Sequence, residues 1–270
     1  MIDNELQKHL RCKFNPDGSE LRDLQLRMLQ MLNYFDQFCT KHNLKYWLSS
    51  GTCLGAVRHG GFIPWDDDLD IEMLPEDYNT LLELSEIYED SHNILQDYKT
   101  DKEYISPHGK LRDKQSELKE IHNRDKYFNY KGVFIDVFVR EQGSFIAAKI
   151  SHIVQYASYY ITDIKNKHLR RIMKNIVYHG MHSILFPCLR LYNTLFGNKK
   201  ELRHTLGCSF YKTIKKDGLF PLKRIEFEGK LFPVPGNYEC YLERLYGNYM
   251  KLPKNFKNLR THFTQINLKN

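Results

Sequence analysis

A chain of 270 residues has room for one catalytic domain with a small accessory region, and 41% hydrophobic content with 13% aromatics supports a packed core and excludes a disordered chain. The net charge of +7 is uneven: 13 Lys/Arg against 2 Asp/Glu between Lys149 and Lys216 give that stretch +11 and leave −4 for the remainder. Such a basic field suits an anionic partner such as lipid headgroups, a charged glycan or nucleic acid, and a solvated helical face explains it equally well.

The N-terminus, MIDNELQKHLRCKF, has no apolar run of signal-peptide length, which predicts a cytoplasmic protein. From Ser19 to Asn43, Leu21, Leu24, Met28, Met31, Leu32, Phe35 and Phe38 recur at helical spacing, with Asp17 and Glu20 as a capping box. Tyr46–Ser50 reads as a short first strand ended by Gly51, and the small residues Gly51–Ala56 open a short helix. Gly60-Gly61 and Pro64 break the pattern before a second strand, Asp68–Met73. Pro75-Glu76-Asp77 starts a helix whose buried side is Leu81, Leu82, Leu84 and Ile87. Val133–Val139 is apolar apart from Asp136, the pattern of a strand covered on both faces. From about Phe145 to Phe196 the chain reads as helical. Its charge-free runs, Ile150–Thr162 and Asn175–Leu189, fall short of the roughly 20 residues a bilayer span needs. Ile184, Cys188, Leu191 and Leu195 form one face beside Arg190, expected to meet the core, with an interfacial helix as the alternative. The six cysteines (12, 39, 53, 188, 208, 240) contain no CxxC pair and read as reduced, mostly buried thiols.

Four aspartates within five positions, Asp66-Asp67-Asp68-Leu69-Asp70, carry the chemistry. Clustered carboxylates repel one another and raise each other's pKa, so without a cation they cost stability. Alternation along a strand points Asp68 and Asp70 to one face, and paired carboxylates are what Mg²⁺ or Mn²⁺ requires. Asp136, alone in an apolar run, supplies a third carboxylate from a neighbouring strand. Such a site can activate a hydroxyl and stabilise a leaving phosphate. Asp67 should point away from it, while Asp66 either assists or caps local backbone. Gly51 and Thr52, at a helix start, suit a bound anion. Arg58 with His59, and Lys110 with Arg112, are candidates to hold phosphate oxygens, although either pair can equally be surface charge. Trp65 has two readings, a stacking or cation–π platform and a core residue. None of the twelve histidines shows ligand spacing, and none is assigned to a metal.

The run Ser50-Gly51-Thr52-Cys53-Leu54-Gly55-Ala56-Val57-Arg58-His59-Gly60-Gly61-Phe62-Ile63-Pro64-Trp65 into Asp66–Ile71 resembles the LicD-type phosphotransferases, relatives of the fukutin-type enzymes. Phe134–Phe138 looks like that family's second block, and Glu226–Gly229, Phe232–Pro235, Tyr241-Leu242, Tyr246–Met250 and Leu252-Pro253 like its closing segment. The resemblance implies an α+β, nucleotidyltransferase-like fold: a small mixed β-sheet flanked by helices. One catalytic domain would have its core at about 20–142 and 224–262, with a mostly helical basic insertion at about 145–216. By the same resemblance Asp68, Asp70 and Asp136 are the catalytic metal carboxylates. The donor would be CDP-linked, such as CDP-choline, and the acceptor a glycan or lipid-linked glycan at the inner membrane face. Asn248 departs from the acid many relatives carry there, which bears on local packing or substrate choice.

Two other readings fit less well. A nucleotidyltransferase would use the same carboxylates on a nucleoside triphosphate and release pyrophosphate. A non-catalytic membrane- or nucleic-acid-binding protein would rely on the basic stretch alone, but its cations lie among aliphatic residues rather than stacking aromatics, so no nucleic acid is expected.

Overall fold

The computed structural model describes residues 2–87, 90–121, 124–253 and 262–268; residues 254–261 of the expected core segment lie outside the described residues. The chain opens with helix α1 (Asn4–Phe14), which the sequence reading did not include; Asp3 caps it by accepting the Glu5 and Leu6 amides. Helix α2 (Glu20–Lys41) follows the predicted stripe, burying Leu24, Met28, Met31, Leu32 and Phe35. Its cap is Ser19 rather than Asp17: Gly18 turns the chain at φ 78°, and the Ser19 hydroxyl accepts the Arg22 amide.

Strand β1 (Tyr46–Leu48) is shorter than expected, because Ser50, at φ 45°, already begins helix α3 (Ser50–His59). Gly51 therefore lies in the first turn of α3. Next come β2 (Asp70–Met73), α4 (Pro75–Ile87), β3 (Asn93–Gln96), β4 (Gly109–Asp113), β5 (Ser116–Glu120) and β6 (Phe134–Gln142). In α4, Leu81 is buried, Leu82 and Leu84 partly so, and Ile87, the last residue, is exposed rather than buried. The basic stretch forms α5 (Phe145–Ser158), a 3₁₀ turn, α6 (Lys167–His179), a π-helical turn and α7 (Phe186–Phe196). The chain closes with β7 (Glu201–His204), β8 (Ile214–Lys215), β9 (Lys223–Phe227), β10 (Lys230–Val234), α8 (Tyr238–Tyr246) and β11 (Phe263–Leu268).

Among the described residues, seven strands make one mixed sheet in the order β1-β2-β6-β4-β3, with β7 and β8 added along the far end of β6. Only β2 and β6 run parallel; every other pairing in the sheet is antiparallel. This is the small mixed sheet with helices that was expected. Its faces are chemically unlike. Leu48, Ile71, Ile135 and Val137 are fully buried and share the main core with Leu24, Leu32 and Phe35 of α2. The residues that alternate with them, Asp70 and Glu72 in β2 and Asp136 and Arg140 in β6, face the other side. Strand β6 is covered on both faces as predicted, but on one of them by polar groups.

The β9–β10 hairpin anchors the turn that leads into the acidic segment. At its tip Glu228 accepts Arg11 Nη2 at 2.9 Å, Arg22 Nη2 at 2.7 Å and the Phe62 amide at 3.1 Å, while its own amide donates to Gly60 O. A Cβ on Gly61 would lie 2.2 Å from Glu228 Oε1, so a side chain there would push the Glu228 carboxylate off its partners.

Helices α5–α7 pack round a second, smaller core of Ala147, Met181, Phe186 and Leu206. Buried Glu103 ties α6 down, 3.2 Å from Arg170 Nε and 3.0 Å from Lys174 Nζ. The Ile184, Cys188, Leu191 and Leu195 face does not meet the core; it is exposed. Three of the six cysteines, Cys39, Cys53 and Cys208, are buried. No helix among the described residues is long and apolar enough to cross a membrane.

Because one carboxylate joins two helices to the hairpin, Glu228→Ala should destabilise the protein by about 2–4 kcal/mol. Urea unfolding checks this, and a change within the error of the wild-type midpoint would show that the pairs contribute nothing.

Candidate active site

The register of the sheet sets the site. Asp70 of β2 lies directly beside Asp136 of β6, and Asp136 beside Lys110 of β4, giving one row of two carboxylates and an ammonium. The backbone is held at both acids: the Asp70 amide donates to Thr52 Oγ1 at 2.8 Å, and the Asp136 amide to Leu69 O at 2.9 Å. Thr52 is thus buried beneath the site, positioning Asp70.

Residues Asp66–Leu69 precede β2 as irregular chain, so Asp68 is not a strand residue as predicted. Alternation nevertheless extends back through them: Asp67, Leu69 and Ile71 are buried, while Asp68 and Asp70 are only partly so. Asp68 therefore shares the face of Asp70. Asp67 turns away, as expected, accepting both the backbone amide and Nδ1 of His262 at 2.6 Å. Asp66 comes into the cluster, with Gly51 beneath it: a Cβ there would sit 2.8 Å from Asp66 Oδ2.

The electrostatics follow from crowding. Burial, reinforced by Asp68 and Asp67, holds Asp66 well above the usual carboxylate range. Burial, reinforced by Asp68, Asp136 and Asp66, does the same to Asp70. Burial also raises Asp68, with His262 opposing it and Asp136 adding to it. Asp136 goes the other way: burial would raise it, but Lys110 and His108 hold it well below the ordinary value. His108 Nε2 lies 3.2 Å and Lys110 Nζ 3.4 Å from Asp136 Oδ1, neither in hydrogen-bonding geometry, which leaves that oxygen a buried acceptor without a hydrogen bond.

Deeper on the same face, fully buried Glu72 is ion-paired with Arg140 Nη2 at 2.7 Å and accepts Trp47 Nε1 at 2.9 Å, with His204 Nε2 3.2 Å away. Burial would raise Glu72, but Arg140 and His204 hold it down to about 2. Burial and Arg140 push His204 down to about 4, so it is neutral and turns an N–H toward Glu72.

The other candidates are spent within the protein. Arg58 is buried, its Nε donating to His59 Nε2 and its Nη1 to the carbonyl of Tyr249, while His59 Nδ1 meets Gln7 Oε1 at 2.6 Å. Arg112 is fully buried, donating to Gln96, Gly132 O and Glu120. Trp65 packs edge-on against Phe14 of α1 and His59. Of the two basic pairs, only Lys110 reaches the acidic row. Three residues there were not singled out from sequence. His108 shares the alternation of Lys110, which would have revealed it; His262, 195 residues from Asp67, carries no local signal. Tyr246, still 45% exposed at the end of α8, is the third, its phenol pushed up by partial burial and by Asp70, Asp66 and Asp68. The sequence assigns no histidine to a metal; tertiary folding places His108 beside Asp136 and His262 beside Asp67.

A divalent cation fits this donor set. The oxygens are hard and crowded, burial and the neighbouring acids raise three of the carboxylates, and Asp136 Oδ1, though close to His108 and Lys110, accepts no hydrogen bond. Among the described residues, the three side chains whose ligand atoms all lie within 4.8 Å of one another are Asp67, Asp68 and His262; Asp68, Asp70 and Asp136 are not gathered that closely. His262 is raised to about 9, chiefly by its hydrogen bond to Asp67, so in the cation-free protein it serves as a counter-charge to the acids.

Paired carboxylates on adjacent strands beside a Gly-containing helix start are an arrangement compatible with metal-assisted phosphate chemistry. The chain belongs to the family described as LicD/FKTN/FKRP, nucleotidyltransferase domain, which matches residues 43–177. It is 27% identical over 259 residues, 86% of this chain and 92% of the relative, to the lipopolysaccharide cholinephosphotransferase LicD of Haemophilus influenzae. Shorter matches include the mouse ribitol 5-phosphate transferase FKRP, 53% identical over 34 residues, 13% of this chain and 7% of the relative. An uncharacterized Rickettsia prowazekii protein is 54% identical over 52 residues, 19% of this chain and 20% of that one.

Raised carboxylates bind protons more readily folded than unfolded, so above the ordinary carboxylate pKa the cation-free protein loses stability as pH rises. Asp70→Asn should therefore raise the Tm of chelator-treated protein at neutral pH by about 2–4 °C per kcal/mol of repulsion removed, a gain that shrinks on acidification. Mg²⁺ should raise the wild-type Tm more than the variant's; a variant that melts below wild type in chelator would contradict the repulsion. Separately, Arg140→Met strands buried Glu72 and should cost about 3–5 kcal/mol, largely recovered by adding Glu72→Gln. Equal losses in the single and double variants, read by urea unfolding, would sink that pairing.

Proposed function

We propose that the protein is a Mg²⁺- or Mn²⁺-dependent phosphotransferase that moves a phospho-alcohol group, phosphocholine foremost, from a CDP-linked donor to a hydroxyl of a cell-surface glycan or its lipid-linked precursor. The acceptor oxygen forms a new bond to the phosphorus of the transferred group, the bond to the CMP phosphate breaks, CMP leaves, and the hydroxyl proton is lost. The observation that carries this reading is the Asp70–Asp136–Lys110 row with Asp68 beside it, in a chain similar along most of its length to a lipopolysaccharide cholinephosphotransferase. The shared element in the relatives' names, choline phosphate and ribitol 5-phosphate, is an alcohol carried on phosphate.

Asp68, Asp70 and Asp136 would hold the cation, which supplies charge neutralisation at the phosphate and acidity at the hydroxyl. Thr52 fixes the Asp70 backbone, and His108 and Lys110 keep Asp136 ionised. Lys110, which donates to Glu120 and lies beside Asp136, is the candidate cation nearest the acids; Gly51, Thr52, Arg58, His59, Trp65 and Arg112 act through the frame. The family description also mentions nucleotidyltransfer, for which the same carboxylates would serve on a nucleoside triphosphate.

Incubation with CDP-choline and a glycan acceptor should release CMP in a Mg²⁺-dependent manner. Asp68→Ala or Asp70→Ala should lower the rate about 10³-fold, equivalent to about 4 kcal/mol of barrier. Full activity in both variants would refute the carboxylate assignment, and pyrophosphate released from a triphosphate would favour nucleotidyltransfer.

A further inference from the structure

The helices of the basic region bury a mixture of apolar, polar and charged residues and leave apolar stripes exposed. In α6, Leu169, Ile172, Met173 and Ile176 recur at the spacing of one helical stripe, yet Ile172 and Ile176 are 56% and 58% exposed. Arg170 and Lys174, on the opposite side of that helix, are 3% and 1% exposed and paired with Glu103. Helix α5 repeats the pattern: Ile146, Ile150 and Ile153 are exposed while Ser151, Gln155 and Ser158 are buried. In α7, Leu191 and Leu195 are exposed, and Asn193 is buried with its side-chain oxygen accepting the Ser144 amide. Scattered exposed apolar residues are ordinary. Beyond the small core of Ala147 and Phe186, three successive helices expose branched aliphatics on a shared surface, a pattern suited to a second apolar phase.

The surrounding charge selects that phase. Lys149, Lys165, Lys167 and Arg171 are exposed around these stripes, in a stretch of 13 Lys/Arg against 2 Asp/Glu. A second copy meeting this face would bring positive charge against positive charge, whereas anionic headgroups neutralise it. Tyr156 and Tyr160 are exposed along α5 and just beyond it, the residue type that sits at a membrane–water boundary. No described helix is long and apolar enough to cross a membrane. We propose that α5, α6 and α7 form a membrane-docking face that lies in the interfacial layer of an anionic bilayer. This inference rests on the exposed helices and not on the phosphotransferase reading, and vesicle binding is measured without donor or acceptor, so the two fail separately.

Co-sedimentation of the full chain with phosphatidylcholine vesicles, with and without phosphatidylglycerol, tests it. The wild type should pellet with the anionic vesicles and release as salt rises. Ile172→Gln/Ile176→Gln should weaken binding about tenfold or more, and Lys167→Glu/Arg171→Glu should abolish the preference for anionic lipid. Circular dichroism melting verifies that both variants are folded, and Leu191→Gln/Leu195→Gln on α7 replaces the α6 variant should that one melt early. Wild type that stays in the supernatant, or folded variants that pellet like wild type, would overturn the docking face. A concentration-dependent dimer dispersed by Ile172→Gln/Ile176→Gln would also overturn it, by assigning the face to a second copy.

Discussion

Repulsion among carboxylates on one side of a small sheet is the constraint the rest of this fold answers. Asp66, Asp68 and Asp70 come from one short segment and Asp136 from the adjoining strand, and burial makes their mutual dislike larger than it would be in water. Left to itself such a segment would swing outward. It is restrained by backbone hydrogen bonds from Asp70 to Thr52 and from Asp136 to Leu69, and by Asp67, which faces the other way to His262. The acids are kept together by groups that do not share their task.

The restraint is layered. Nearest the carboxylates, His108 and Lys110 keep Asp136 charged. Beneath them, the Glu72–Arg140 pair, with Trp47 and His204, satisfies charge inside the protein and fixes β2 against β6 and β7. Farther out, Glu228 pins the Gly60–Phe62 turn to both N-terminal helices. Ion pairs of this kind add little net stability compared with apolar packing, but a broken one is costly, which makes them effective at enforcing one geometry.

Local periodicity made part of this legible. Asp68 and Asp70 could be put on one face because alternation runs through Leu69 and Ile71, and Asp136 stood out as an acid in an apolar strand. Residue type alone gave no direction for the basic side chains. Arg58 and His59 look like phosphate binders beside a glycine-rich turn, yet their nitrogens are bound to Tyr249 and Gln7, contacts that only the folded chain creates. His262 reaches Asp67 through the pairing of β11 with β5, which no nearby residue announces. Helical spacing in the basic stretch predicted apolar stripes, but periodicity does not say which way a stripe faces, and here buried Arg170 and Lys174 decide it.

Strand β6 has nine residues, and its two halves have different neighbours: Asp70 and Lys110 flank its beginning, while Arg140–Gln142 pair with β7. The basic region is consequently woven into the main sheet rather than appended to it. Excising it would strip a ladder from β6, remove His204 from Glu72 and leave Glu103 buried without its cations. The chain is therefore poorly suited to being cut down to a minimal core or to having this stretch exchanged with a relative's, and variation there must keep the inward polar residues even where the outward ones change.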